Sequence, residues 1–263
     1  MNTESSFWIM RPFNPLFITV ALLFLAILVV SSLILRKKSE ETRRTVLVTA
    51  CVVTFIGFFI YKYALSLDAE FNAATASMGG FNWWGELPLQ LCNISMILIP
   101  IAVIRKSRPL MCFGFFIGPL GAFMALVIPG NGFDGYSLLI PRMLGYYGTH
   151  FMIVIAGWAL VTYGLFRPRF SDLPGAALSL LVLALAVFCV NMLLRWSGLH
   201  PRANYFFTVE TEGIGLLETF YRWIPVPLLY MIPCIGILLV YMAVVTAAFD
   251  GVEKIMAGNK KPE

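Results

Sequence analysis

Seven stretches of about 20 apolar residues recur along the chain, each long enough to cross a hydrocarbon core of about 30 Å. They fall near 15–35, 45–65, 86–104, 109–128, 142–166, 174–195 and 223–249. Backbone in lipid must satisfy its own hydrogen bonds, so only helices and closed barrels can cross. A barrel strand alternates apolar and polar positions over about ten residues, whereas residues 16–30 are apolar on every side except at Thr19. The pattern predicts an all-α fold: a polytopic membrane protein, a bundle of seven transmembrane helices in a single domain over 1–263. Composition agrees, because only 13% of the residues are charged, against about 25% in soluble chains. The first stretch is read as a retained helix, since Glu4 and a single Arg11 precede it and no A-x-A site follows.

Lysine and arginine set the expected orientation. Five lie in 36–44, three in 105–108, two in 167–169 and three after Asp250. Arg11, Lys62, Arg142, Arg195, Arg202 and Arg222 fall at the opposite helix ends. This alternation predicts an N-terminus outside and a C-terminus in the cytoplasm, in a plasma membrane. The net charge of +5 is then charge of the cytoplasmic face that attracts anionic headgroups, with no nucleic-acid partner implied. Cysteines at 51, 92, 112, 189 and 234 form no C-x-x-C pair, and the two histidines, His150 and His200, stand apart. No metal site, disulfide framework or cofactor is expected.

The longer, aromatic-rich connections, 66–85, 129–141 and 196–222, all belong to the expected outer face, where function is sought first. Gly114 and Gly118, followed by Pro119, read as close helix packing with a proline kink. Asp68, Glu70 and Glu86 read as a solvated outer cluster. Asn93-Ile94-Ser95 matches a glycosylation sequon but falls within the bilayer.

Two residues stand out inside the apolar segments: Cys92 in E-L-P-L-Q-L-C-N-I-S and His150 in G-T-H-F-M-I-V-I. A thiol and an imidazole are the minimum parts for covalent acyl chemistry. Counted from the outer helix ends they lie about 9 and 12 Å deep, so they meet if the two helices are neighbours. Glu86, Gln90 and Asn93 share a face of the third helix, with Cys92 at its edge, and Arg142, Tyr146 and His150 stack at i, i+4 and i+8 on the fifth. Taken singly, each has a plainer reading: Cys92 as small core residue, His150 as helix contact, Arg142 as a snorkelling cation. Further along, Asn204-Tyr205 precedes a proline-interrupted approach to the last helix and reads as a lid or a lipid entrance.

P-L-Q-L-C-N at 88–93, the run from Gly121 to Pro129, G-T-H at 148–150, N-Y-F-F at 204–207 and P-V-P-L-L-Y at 225–230 together carry a resemblance. In these motifs and their order the chain resembles the YwaF-like bacterial integral membrane family, related to the transmembrane-protein-164 acyltransferases. The resemblance implies a pocket open to lipid, with Cys92 matching the acyl-accepting cysteine and His150 the matching histidine. It also implies movement of a fatty acyl chain from a phospholipid to a lysophospholipid. The expected site therefore has Cys92 as nucleophile and His150 as base. Gln90, Asn93 or Tyr146 would stabilise an oxyanion, Arg142 would hold a phosphate, and Asn204 and Tyr205 would contact substrate. The alternative from another class is a lipid-binding or transport protein using the same cavity without chemistry, although inverted repeats and midplane ionisable residues are not evident.

Overall fold

The computed structural model describes residues 6–76, 79–130 and 132–258. Six helices are long and apolar enough to cross a membrane: α1 (Pro15–Leu35), α2 (Glu40–Ser66), α5 (Arg108–Val127), α6 (Pro141–Thr162), α7 (Leu173–Trp196) and α9 (Ile232–Gly258). Between them lie the short α3 (Ala69–Ala74), α4 (Leu91–Arg105) and α8 (Gly215–Trp223). Helix starts follow local chemistry. Asn14 and Ser39 cap α1 and α2 by accepting from the Phe17 and Thr42 amides, and Pro15 and Pro141 open α1 and α6 where no amide hydrogen is needed. One two-residue β-ladder, Ile9–Met10 against Tyr136–Ser137, ties the segment before α1 to the α5–α6 connection.

Two expected boundaries are corrected. The third apolar stretch turns helical only at Leu91, and at 15 residues α4 is about 22 Å long, short of a full hydrocarbon core. Pro88 has no amide hydrogen to contribute and disfavours helical geometry at Leu87. The Leu87 amide donates instead to Tyr205 Oη at 3.0 Å. Glu86 is therefore off the helix that Asn93 occupies, and Gln90 is its N-cap residue. Near the C-terminus the stretch expected at 223–249 is split, because α8 ends at Trp223 and α9 begins only beyond Pro225 and Pro227.

Helices α4, α5, α6 and α2 pack on one another, with α1 laid against α6, α7 against α5 and α9 against α7. The outer three carry rows of exposed apolar side chains, such as Leu22, Leu23 and Val30 on α1 and Val240 and Val244 on α9, which suits contact with lipid. Glycines bring the inner helices close. A Cβ at Gly114 would lie 2.8 Å from Ile99, one at Gly118 2.8 Å from Ser95 Oγ, and one at Gly121 3.5 Å from the Cys92 amide nitrogen. The stripe on α5 thus lies along α4 and extends the expected Gly114–Gly118 packing to Cys92 itself.

The bundle has two chemically different ends. Arg36, Arg108 and Arg167 gather at one. Lys62 with Glu86, Arg142 with Asp68, and Asn82 with Leu199 gather at the other, where the aromatic-rich connections meet.

Candidate active site

Cys92 is the second residue of α4, in the turn whose backbone N–H groups lack partners within the helix. Its Sγ lies 3.5 Å from His150 Nε2 on α6 and 3.7 Å from Asn93 Oδ1, and both side chains are buried. The other imidazole nitrogen, Nδ1, is 2.7 Å from the Tyr146 carbonyl oxygen one turn earlier. A carbonyl only accepts, so Nδ1 carries the hydrogen and Nε2 turns its lone pair toward the thiol. The Tyr146 ring packs on the imidazole with centroids 4.4 Å apart and is itself stacked on Phe133 at 4.2 Å. Thiol, imidazole and the Tyr146 carbonyl that fixes the imidazole tautomer are therefore joined in series.

The expected companions divide. Asn93 is buried beside Cys92, and its Nδ2 has no hydrogen-bond partner among the described residues. Tyr146 sends its hydroxyl to the Ala125 carbonyl at 2.7 Å, so its contribution at the thiol is the ring face and the backbone carbonyl. Arg142 is not a snorkelling cation. Its guanidinium is almost wholly buried, donating to Asp68 at 2.7 Å and Glu70 at 2.8 Å over the Tyr136 ring. In place of a free phosphate site the structure gives this arginine two carboxylates, and it fastens α3 to the start of α6. Asp68, Glu70 and Glu86 accordingly belong to ion pairs, where the sequence suggested a solvated cluster.

Gln90, Asn204 and Tyr205 form a latch above α4. Gln90 Oε1 accepts from the Phe206 amide at 3.2 Å. Tyr205 donates to the Trp84 carbonyl at 2.7 Å, and burial pushes its phenol pKa up. Asn204 is fully occupied within its own loop, accepting from Val209 and Glu210 and donating to Glu210 and Glu212. Asn191 of α7, completely buried, holds the Tyr205 amide and carbonyl and the Thr208 hydroxyl. Under the latch lies an apolar cavity of about 340 Å³ between α7 and α9, lined by Leu180, Ala184, Ile235 and Leu238 and roofed by Phe206 and Leu228. Phe206, Phe207 and Leu228 all have φ between 55° and 65°, a conformation unfavourable for non-glycine residues. It is sustained by hydrogen bonds from the Leu228 amide to Thr208 and from Tyr230 Oη to Phe207. Gln90 and Leu91 form the wall of this cavity nearest Cys92.

Lys62 and Glu86 complete the surroundings. The Lys62 ammonium, buried in α2 and paired with Glu86, lies 4.7 Å from the Tyr61 ring centroid and 5.4 Å from that of Phe58. Reading the sequence placed Lys62 at a helix end and Glu86 in solvent. The available signal was a lysine between Tyr61 and Tyr63 with apolar helix on its N-terminal side, a setting where a charge needs a partner.

The sequence profile of the TMEM164 family matches residues 8–246. The chain belongs to the TMEM164 family. The match begins before α1 and ends within α9, so Cys92, His150, the Asn204–Tyr205 latch and the Lys62–Glu86 pair all lie inside the TMEM164-family region. No curated protein and no solved structure matches the chain. This TMEM164-family chain is a multi-pass integral membrane protein.

Proposed function

We propose that the chain is a membrane-embedded lipid acyltransferase that moves a fatty acyl chain between lipids through a thioester on Cys92, with His150 as general base. The observation that carries this reading is the 3.5 Å approach of Sγ to an imidazole nitrogen whose partner nitrogen is tied to the Tyr146 carbonyl. His150 Nε2 takes the thiol proton as Sγ attacks the carbonyl carbon of a phospholipid ester. The ester C–O bond breaks, the departing lysophospholipid oxygen receives the proton from the imidazolium, and the acyl group remains on sulfur. An acceptor hydroxyl then gives its proton to Nε2 and attacks the thioester, and the thiol is restored. Asn93 Nδ2, without a partner among the described residues, is the side-chain donor assigned to the oxyanion in this reading. The apolar cavity under the Asn204–Tyr205 latch suits an acyl chain, with Gln90 at its inner wall. Arg142 and Tyr146 support the site by holding α3 and His150 in place.

The same reading includes seven passes, α4 being the short one, with the N-terminus outside and the C-terminus in the cytoplasm of a plasma membrane. One observation favours the non-catalytic alternative: the cavity is lined by Gln90 and Leu91 and not by Cys92, as in a site that only binds lipid. The deciding experiment is intact-protein mass spectrometry after incubation with phospholipid. A hydroxylamine-labile acyl adduct is expected on wild type and is expected to be absent from Cys92→Ser. An adduct of equal extent on both proteins, or acyl transfer that survives Cys92→Ser, would leave the cavity as a binding or transport site.

A further inference from the structure

A hollow of about 1180 Å³ lies at the arginine-rich end, away from Cys92. Its walls are the C-terminal part of α1, the end of α6 with the turn that follows, and α9 from Tyr241 to Val252, with Phe115 of α5 behind. The interior is hydrocarbon-like. Two of its few polar side chains, Ser32 and Thr162, bond to each other through their hydroxyls at 2.9 Å, and Ser32 also reaches the Leu28 carbonyl. A gap of this kind within a bilayer offers water too few partners to be filled by it. It also exceeds the about 300–1,000 Å³ of most small-ligand sites.

Arg36, Arg108 and Arg167 line the hollow, and among the described residues no carboxylate does. Arg108 gives its Nε and Nη2 to Asp172 at 2.8 and 2.6 Å and Nη2 also to the Arg167 carbonyl at 2.9 Å, which leaves Nη1 without a hydrogen bond among the described residues, while Arg167 stands 3.7 Å from Asp250. Arg36, exposed at the C-terminal cap of α1, has no acidic partner among the described residues. A hydrocarbon slot rimmed by guanidinium groups, with Arg36 exposed, has the chemistry of one occupant: two acyl chains below a phosphate, a group that arginine's planar fork matches. We propose that this cavity is a second lipid site, which holds an anionic membrane phospholipid with its chains between α1 and α9 and its phosphate on Arg36 and the open edge of Arg108. It takes no part in acyl transfer. Because α1 rests on the bundle mainly through α6, the lipid fills the space beside it and stabilises the folded state by mass action.

The test uses the full chain in nanodiscs of phosphatidylcholine, with a phosphatidylglycerol probe carrying a diazirine on its acyl tail. Photolabelling mapped by peptide mass spectrometry is expected at wall residues such as Val29, Val161 and Val245. Labelling should fall about tenfold in Arg36→Glu and persist in Arg36→Lys, the loss expected when a phosphate–cation contact becomes a repulsion. If Arg36→Glu does not fold, competition on wild type decides: unlabelled phosphatidylglycerol should displace the probe and phosphatidylcholine should not. Labelling must also survive Cys92→Ser, which separates this site from the acyl-transfer reading. Equal labelling by a phosphatidylcholine probe, indifference to Arg36→Glu, or labels confined to the cavity between Leu180 and Leu238 would overturn the proposal.

Discussion

Gly145 and Gly148 lie on the same helix, three residues apart, and the structure predicts opposite outcomes for the same substitution. A Cβ at Gly145 would sit 2.2 Å from both Cβ and Cγ of Tyr61 and 2.8 Å from its Cδ1, whereas a Cβ at Gly148 meets nothing within 4 Å. Carbon atoms pack at about 3.5–4.0 Å, so Gly145→Ala must push α6 and α2 apart by about 1 Å or more. Tyr61 cannot yield by rotating, because the clash includes its own Cβ. Overpacking of this kind costs about 1–3 kcal/mol. Both substitutions gain the same helix propensity, about 1 kcal/mol for alanine over glycine, so the difference between them isolates the overpacking. At about 2–4 °C per kcal/mol for a chain of this size, Gly145→Ala should melt about 2–12 °C below Gly148→Ala in matched detergent. The displacement also reaches the site, since His150 is five residues further along α6 and Lys62 follows Tyr61. A misplacement near 1 Å costs about 10²-fold in rate, and the acyl adduct should form correspondingly slowly in Gly145→Ala alone. Equal melting temperatures and equal adduct rates would refute the claim that glycine at 145 sets the α2–α6 approach.

Breaking the buried Lys62–Glu86 pair from one side, as in Lys62→Met, should destabilise by about 3–5 kcal/mol, while Lys62→Met with Glu86→Gln should recover most of it; thermal unfolding of the three proteins closes the cycle. Asn191→Leu strips the Tyr205 amide, the Tyr205 carbonyl and Thr208 of their partner, at about 1–3 kcal/mol for each group left unsatisfied. It should be read as faster proteolysis of the connection between α7 and α9. His200, outside the helices, has its pKa lowered by burial and then by Arg195, against a weaker opposing pull from Glu86. Its contribution is therefore complete above the unfolded value of about 6.5 and lost as pH falls through the lower folded value, so wild type should lose more stability than His200→Asn between pH 8 and pH 5. The proposed orientation places Ser197 outside, and Ser197→Cys should react with an impermeant thiol reagent in intact cells; reaction only after lysis would reverse it.

The positions of the long helices were legible because lipid imposes a length and an apolar composition that few residues can break. The start of α4 was legible only in part: Pro88 was visible as a local break, while the Leu87 amide is taken by a tyrosine 118 residues away, a contact that no local pattern announces. Depth counting brought Cys92 and His150 to the same level. Yet Cys92 is in the first turn of α4, well short of six residues in, so the agreement in depth did not come from the helix start that the count assumed. Polar residues were visible as polar, and their partners were not. Arg142 and Lys62 looked like ordinary helix-end cations, and Asp68, Glu70 and Glu86 like solvated acids, because opposite charges 24 to 74 residues apart carry no mark of each other in sequence. In a membrane protein that pairing is the decisive information: a buried charge without a partner is too costly to keep. The Lys62–Glu86 pair, once seen, explains how a lysine can sit in an apolar bundle. The ammonium is balanced by the Glu86 carboxylate and packed against the Tyr61 and Phe58 rings, so that the bundle buries a neutral pair where it could not bury a lone cation.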